Sequence, residues 1–423
     1  MRNLLIGMAA TLAAGGTAGA ETIIIHAGRL ISDASTAAAG PSTITIIDGK
    51  ITAIETGLKP VGDGAKLIDL STKTVLPGLI DSHVHLSGDP GGDYRSEAVD
   101  PDEWGVIVGA KNARLSALAG FTTVRDLGSA QLVGFVLRDG TAKGWIPGSR
   151  ILSAGTSISI IGGHGDVSGF RPEVNAALDG GNTCTGAIQC AARVREASKR
   201  GADVIKITAT GGVLSQQGRG LGQHFTDEEM SAIVTTAHGL GLKVAAHAHG
   251  ARGIEGAAKA GVDSIEHGTF ADAAALKMMK ANGSYMVPTL MAFTGIRERL
   301  GKNIYTPTVE AKVRETLKSV GQALKSARDL GVPIAFGTDS GVFEHGRNAQ
   351  EFAQMVELGG LTPAQAIATA TTGAAKLLGL EGEVGKIAVG YSADIIAVTG
   401  DPLTNVRALE KVGFVMVRGR VIE

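Results

Sequence analysis

Cysteine is scarce in this chain of 423 residues: Cys184 and Cys190, six positions apart, are the whole supply. With no further Cys or His close by, they argue against a thiolate metal site. They leave one local disulfide in an oxidising compartment, or two free thiols, structural in either case. Charge of one sign is lacking too. A formal net charge of −1, with no Lys/Arg block or basic stripe, supplies no long-range field and argues against nucleic acid as a partner. No apolar run reaches the roughly 20 residues that a spanning helix needs, and no GxGxxG follows the first strand of the core to suggest a dinucleotide fold. What remains is a globular chain, 44% hydrophobic, able to bury a large core in one big domain plus a small one.

Residues 1–20 read as an export signal. Arg2 is a short basic start, Leu4 to Ala14 the apolar run, and Ala18-Gly19-Ala20 the small residues before a mature start at Glu21. The expected location is therefore periplasmic or secreted, without a stable membrane span.

From Val75 to about Gly379, β-type runs alternate with amphipathic helical stretches, the pattern of a parallel sheet built from β-α units. Eight such runs occur: Val75–Leu86, Phe121–Leu127, Arg150–Ser157, Asp203–Thr208, Lys243–His249, Val262–His267, Ser284–Leu290 and Val332–Asp339. Capping boxes at Thr226 with Glu229 and at Thr362 with Gln365 start helices, and Gly120, Gly201, Gly241, Gly261 and Gly331 end them. The fold class expected is α/β, a (β/α)8 TIM barrel over 77–380. Segments 21–76 and 381–423 are strand-like and too short for a core each, so they are expected to pair as one small β-sandwich formed by both termini. Loops 162–187 and 211–223, rich in Gly and polar residues, are expected to be mobile covers over the site.

Active sites of such barrels lie at the C-terminal strand ends, and reactive residues gather there. His83-Val84-His85 ends the first run. In a strand, residues i and i+2 share a face, so the two imidazoles can converge on one ion. In Val204-Ile-Lys-Ile-Thr208, Ile205 and Ile207 should face the helices, leaving Lys206 inside the barrel. Burial disfavours an ammonium there, so Lys206 must have a depressed pKa, pair with a carboxylate or be chemically changed; a neutral amine can react with carbon dioxide to a carbamate whose oxygens suit a metal. Alternation also turns His247, His249 and Asp339 inward, while His267 ends the sixth run. Any one of these histidines is ordinarily a hydrogen-bonded core or rim residue, but convergence from several strand ends favours a metal site.

This set resembles the amidohydrolase superfamily. The resemblance covers nearly the whole mature chain and implies that His83, His85 and Asp339 bind one metal, that His247 and His267 bind the other, and that Lys206 bridges them as a carboxylated lysine. Local wording in Pro77-Gly-Leu-Ile-Asp-Ser-His-Val-His85, His247-Ala-His-Gly250, Asp263-Ser-Ile-Glu-His-Gly268 and Gly337-Thr-Asp-Ser340 is similar to the branch of Xaa-Pro and other dipeptidases, imidazolonepropionase-like proteins and ochratoxin-hydrolysing carboxypeptidase-like enzymes. Lys206 favours the binuclear peptidase side, since imidazolonepropionases usually lack that lysine.

The expected enzyme is a metal-dependent hydrolase that cleaves an amide to a C-terminal amino acid, in a dipeptide, an N-acyl amino acid or an ochratoxin-type amide. Its cofactors are two divalent ions, zinc by the mixed N and O donors, which lower the pKa of a bridging water from 15.7 towards about 7. Asp339 would be ligand and acid/base together. His164, in the Gly-rich stretch Ile161–Asp166, would hydrogen-bond the carbonyl oxygen. His249 and Arg252 are candidates for gripping a substrate carboxylate. A cyclic amide or lactone hydrolase on the same centre, and a non-catalytic barrel, are the alternatives. Relatives in this branch are often homo-oligomers.

Overall fold

In the computed structural model, residues 21–90, 99–215 and 220–423 are described. The export signal expected over 1–20 lies outside them. Among the described residues no helix is long and apolar enough to cross a membrane.

Both termini build one seven-stranded sheet. Its strand order is Arg420–Val421, Val412–Val417, Ile395–Val398, Lys66–Pro77, Thr22–Leu30, Ser42–Ile47 and Lys50–Thr56. Only the Thr22–Leu30 and Lys66–Pro77 pair is parallel. Where a stacked pair of sheets was expected, this one sheet curls: Lys50 bridges to Ser392, and Ile51 N–H donates to Tyr391 O over 2.9 Å. The curl encloses its own apolar cluster, including Ile25, Ile44, Ile395 and Met416.

The chain passes from this sheet to the parallel-stranded body at Pro77-Gly78. A Cβ on Gly78 would stand 2.1 Å from Thr122 Oγ1, so only glycine fits where strand Leu79–Val84 starts beside Phe121–Asp126. These two and Arg150–Ser153 form a parallel three-stranded sheet, and Val204–Thr208, Lys243–Ala248, Ser264–His267 and Tyr285–Val287 form a parallel four-stranded one. Ile158 pairs with Ile207 between the two sheets. Residues 332–340 pair with the last strand at Met286–Ile334 and with the first at Val84–Ser340. Followed in order, the parallel pairings run from the first strand round to residues 332–340 and back to the first.

The eighth run is not a regular strand. Pro333 cannot donate to a ladder, and Asp339 has a left-handed backbone, φ +61°. It is held instead by Ser82 N–H donating to Phe336 O over 2.9 Å, and by Phe336, fully buried with its ring centroid 4.3 Å from Phe352 and 5.3 Å from Phe121. Burying such a ring stabilises by roughly 2–3 kcal/mol.

Side chains take the faces that alternation requires. Ile205 and Ile207 join the outer cluster with Val194, Met230 and Ile233, while Val204 packs inside with Leu127, Ala154 and Ala245. Both capping boxes form, Thr226 with Glu229 and Thr362 with Gln365. Segment 162–187 holds more order than its composition suggests. It contains helix Pro172–Leu178, and Thr183–Cys184 pairs with Ser159–Ile160. A disulfide joins Cys184 to Cys190 and ties that pair to helix Ala187–Arg200.

Candidate metal centre

The strand ends bring His83, His85, Lys206, His247, His267 and Asp339 to one cavity of about 310 Å3. His83 Nε2 and His85 Nε2 are 3.4 Å apart, and Asp339 Oδ1 lies 3.4 and 3.3 Å from them. An ion bound tetrahedrally at about 2.0–2.1 Å from each donor sets neighbouring donors about 3.3 Å apart. The three donors fit such an ion without rearrangement. Lys206 Nζ stands 3.3 Å from His83 Nε2 on one side of this triangle. A second set follows: His267 Nε2 is 2.9 Å from His247 Nδ1, and His249 offers a further nitrogen to that pair. Two imidazoles this close share either a proton or a cation.

Each ring is oriented from behind. His83 Nδ1–H donates to Glu266 Oε2 over 2.9 Å and His85 Nδ1–H to Gly128 O over 3.0 Å, which turns both Nε2 lone pairs to the cavity. His267 Nδ1 meets Thr289 Oγ1 at 2.6 Å, and His249 Nδ1 meets Thr269 Oγ1 at 2.8 Å. Glu266 is itself held by Arg125, whose Nη2 donates to Oε1 over 3.0 Å, and by Ser264 Oγ. Arg125 is buried with it and also donates from Nε to Ser82 O.

Backbone strain concentrates at the same place. Of seven non-glycine residues with positive φ among the described residues, three are His267 (+71°), Thr289 (+48°) and Asp339 (+61°). Each costs on the order of 1–3 kcal/mol. With Glu266 inward, strict alternation would turn His267 outward; the left-handed backbone returns it to the cavity.

Burial sets most of the charges. It lowers the pKa of His83 to about 4, helped by the Lys206 charge, and that of His249 to about 3, helped by His164. Burial and neighbouring imidazoles hold His247 and His267 well below the usual range. These rings are neutral at pH 7, the form that ligates a cation. Burial lowers Lys206 to about 8 against the pull of Glu266 and Asp339, raising its share of neutral amine. For Asp339, burial works upward, but the neighbouring His83 and the His85 hydrogen bond outweigh it and keep the carboxylate ionised.

His164 lines the cavity, its ring centroid 4.3 Å from that of His247. His249 lines it as well. Arg252 does not, which corrects its reading as a substrate grip: helix Ala251–Ala260 points it to solvent, where Nε donates to Gln223 Oε1 over 3.2 Å. The opposite wall is apolar, formed by Val213, Leu214, Phe293, Ile296 and Val342. Sequence reasoning missed Glu266, Arg125 and Thr289. Glu266 had a signal, since Ser264 and Glu266 alternate with Ile265.

The Amidohydrolase family pattern matches residues 74–422. The chain belongs to the amidohydrolase family. It is 33% identical to the ochratoxinase of Aspergillus niger over 358 residues, 80% of this chain and 72% of that protein. A crystal structure of a Xaa-Pro dipeptidase with methionine bound in its active site is 39% identical, with a TM-score of 0.88 over 95% of this chain and 100% of that one. A prolidase crystallised with N-methylphosphonate-L-proline is 29% identical, with a TM-score of 0.86 over 95% and 99% of the two chains. The chain is thus a hydrolase of amide bonds. The family generally uses divalent metals, and the two His-rich groups are the candidate sites for them in this chain.

Proposed function

We propose that this amidohydrolase is binuclear and exported, and that it releases a C-terminal amino acid from a dipeptide or an N-acyl amino acid, ochratoxin-type amides included. The observation that carries the reading is the triangle of His83 Nε2, His85 Nε2 and Asp339 Oδ1 at 3.3–3.4 Å, with Lys206 Nζ 3.3 Å from one corner. The similarity to ochratoxinase and to Xaa-Pro dipeptidase structures supports the substrate class. In this reading residues 77–380 are a (β/α)8 barrel, 21–76 and 381–423 its small domain, and 1–20 a cleaved signal.

His83, His85 and Asp339 would hold one ion, zinc by donor chemistry, and His247 and His267 the other, with Lys206 joining them as its carbamate. The chemistry supplied by two such ions is activation of a water near neutral pH and polarisation of a carbonyl. The protein does the rest. Asp339 takes the proton of the attacking water and delivers it to the leaving nitrogen. His164 donates a hydrogen bond to the carbonyl oxygen as charge develops there. His249, facing the cavity beside His267, orients the substrate's polar end, while the apolar wall of Phe293 and Ile296 excludes water.

The test is hydrolysis by the purified, metal-loaded mature protein across dipeptides, N-acyl amino acids and one lactone. Release of C-terminal amino acids supports the reading. A lactone-only profile, or no turnover of any amide, refutes it.

A further inference from the structure

His164 is braced from behind by a turn and a distant lysine. Its Nδ1 lies 2.7 Å from Ser215 Oγ, and Gly212 N–H donates to the same oxygen over 3.2 Å. Ser215 N–H returns a hydrogen bond to Gly212 O over 3.2 Å, so residues 212–215 close on themselves beside the ring. Nothing larger than glycine fits this turn, because a Cβ on Gly212 would stand 2.4 Å from His164 Cε1. From the far side Lys312, on helix Pro307–Thr316, donates from Nζ to Gly212 O over 3.2 Å and to Ser215 O over 2.5 Å. One half-buried lysine outside every motif therefore clamps both ends of the turn.

The bonding also bears on a proton. Ser215 Oγ accepts from Gly212 N–H, and among the described residues His164 Nδ1, 2.7 Å away, is an acceptor within reach of its hydroxyl hydrogen. A ring that accepts at Nδ1 carries its hydrogen on Nε2. Because His164 lines the cavity, that hydrogen is the one available to a substrate oxygen. Without the hydroxyl the ring is free to move its hydrogen to Nδ1, and without the clamp the turn can withdraw.

We propose that Ser215 and Lys312 are positioning residues for His164: Ser215 selects the Nε2–H tautomer, and Lys312 locks the 212–215 turn that carries Ser215. This rests on the amide-hydrolase reading for its kinetic consequence, but not for its structural one.

The experiment uses the full-length mature, metal-loaded protein. Long-range 1H–15N spectra of 15N-histidine-labelled protein, assigned with a His164→Asn variant, should show His164 protonated on Nε2, and Ser215→Ala should redistribute the hydrogen between the two nitrogens. Ser215→Ala and Lys312→Met should each lower kcat on the order of tenfold to a hundredfold, with KM and metal content unchanged. Lys312→Arg should recover most of the loss. In the His164→Asn background neither change should cost more than about twofold, since coupled residues do not add. An unchanged tautomer spectrum in Ser215→Ala overturns the proposal, as does an equal loss of kcat with and without His164. If no amide is turned over, the functional reading fails while the spectra still decide this one.

Discussion

Glu266→Gln is the substitution whose outcome the geometry constrains most. Glu266 is fully buried, with Oε2 accepting from His83 Nδ1–H at 2.9 Å and Oε1 accepting from Arg125 Nη2 at 3.0 Å. Glutamine has one acceptor oxygen for these two donors. Whichever way the amide turns, its NH2 faces either the imidazole N–H or the guanidinium, and Arg125 keeps a buried charge without a counter-ion. Breaking a buried ion pair from one side costs roughly 3–5 kcal/mol, and disturbing a partner behind a metal ligand costs about tenfold to a hundredfold in metal affinity. The expected signature is a fall in Tm of roughly 5–10 °C, together with metal loss at lower chelator concentration.

Acid titration adds an independent check. Burial works to raise the Glu266 pKa, but Arg125 and His83 hold it at about 2, below the ordinary 4.5. A depressed carboxylate contributes stability above its unfolded pKa and loses it as pH falls through the folded one. Wild type should therefore shed part of its stability between pH 4.5 and about 2, and the variant should not. Adding Arg125→Met to Glu266→Gln removes the stranded charge, so stability should recover while metal affinity stays low. If Glu266→Gln changes neither Tm nor metal retention, the account of how His83 is oriented is wrong.

Three further outcomes follow from particular contacts. Burial pushes the Glu351 carboxyl up to about 8 in spite of N–H donation from Leu290 and Met291. A raised folded pKa gives stability that is complete below the unfolded value and lost as pH rises through 8, at about 1.4 kcal/mol per pH unit, so Glu351→Gln should flatten the wild-type decline between pH 5 and 8 in thermal melts. Arg252→Ala should leave kcat/KM within about twofold, as expected for an exposed side chain outside the cavity; a tenfold fall would return Arg252 to the substrate site. Replacing Cys184 and Cys190 by serine opens a loop whose ends are six residues apart, and should lower stability by about 2 kcal/mol without changing metal content.

The convergence of the candidate metal donors was legible in the sequence because strand geometry is periodic. His83 and His85 two apart, Lys206 between isoleucines, and His247 in an inward register each follow from alternation. His267 and Asp339 obey it less simply, since left-handed backbone at both aims them, and pattern alone does not reveal positive φ in non-glycine residues. Arg252 was misplaced for a related reason. It lies three residues beyond His249, but a helix begins between them, and the helical period carries the side chain outward. Lys312 and Ser215 were illegible, because their meeting depends on how a helix about a hundred residues further on packs against a loop. The terminal segments were legible as strands and as partners. Their arrangement as one curled sheet depends on hydrogen bonds of Ile51, from its N–H to Tyr391 O and to its carbonyl from Gly390 N–H, that no local pattern encodes.

The central claim is that the six donors hold two divalent ions on which amide hydrolysis depends. Metal content per chain, measured on the purified protein beside its hydrolysis of a susceptible N-acyl amino acid before and after chelation, tests it most directly. The account predicts about two ions per chain, activity lost on chelation and restored by zinc, and no restoration in Asp339→Asn. One ion or none with hydrolysis untouched by chelator would contradict it.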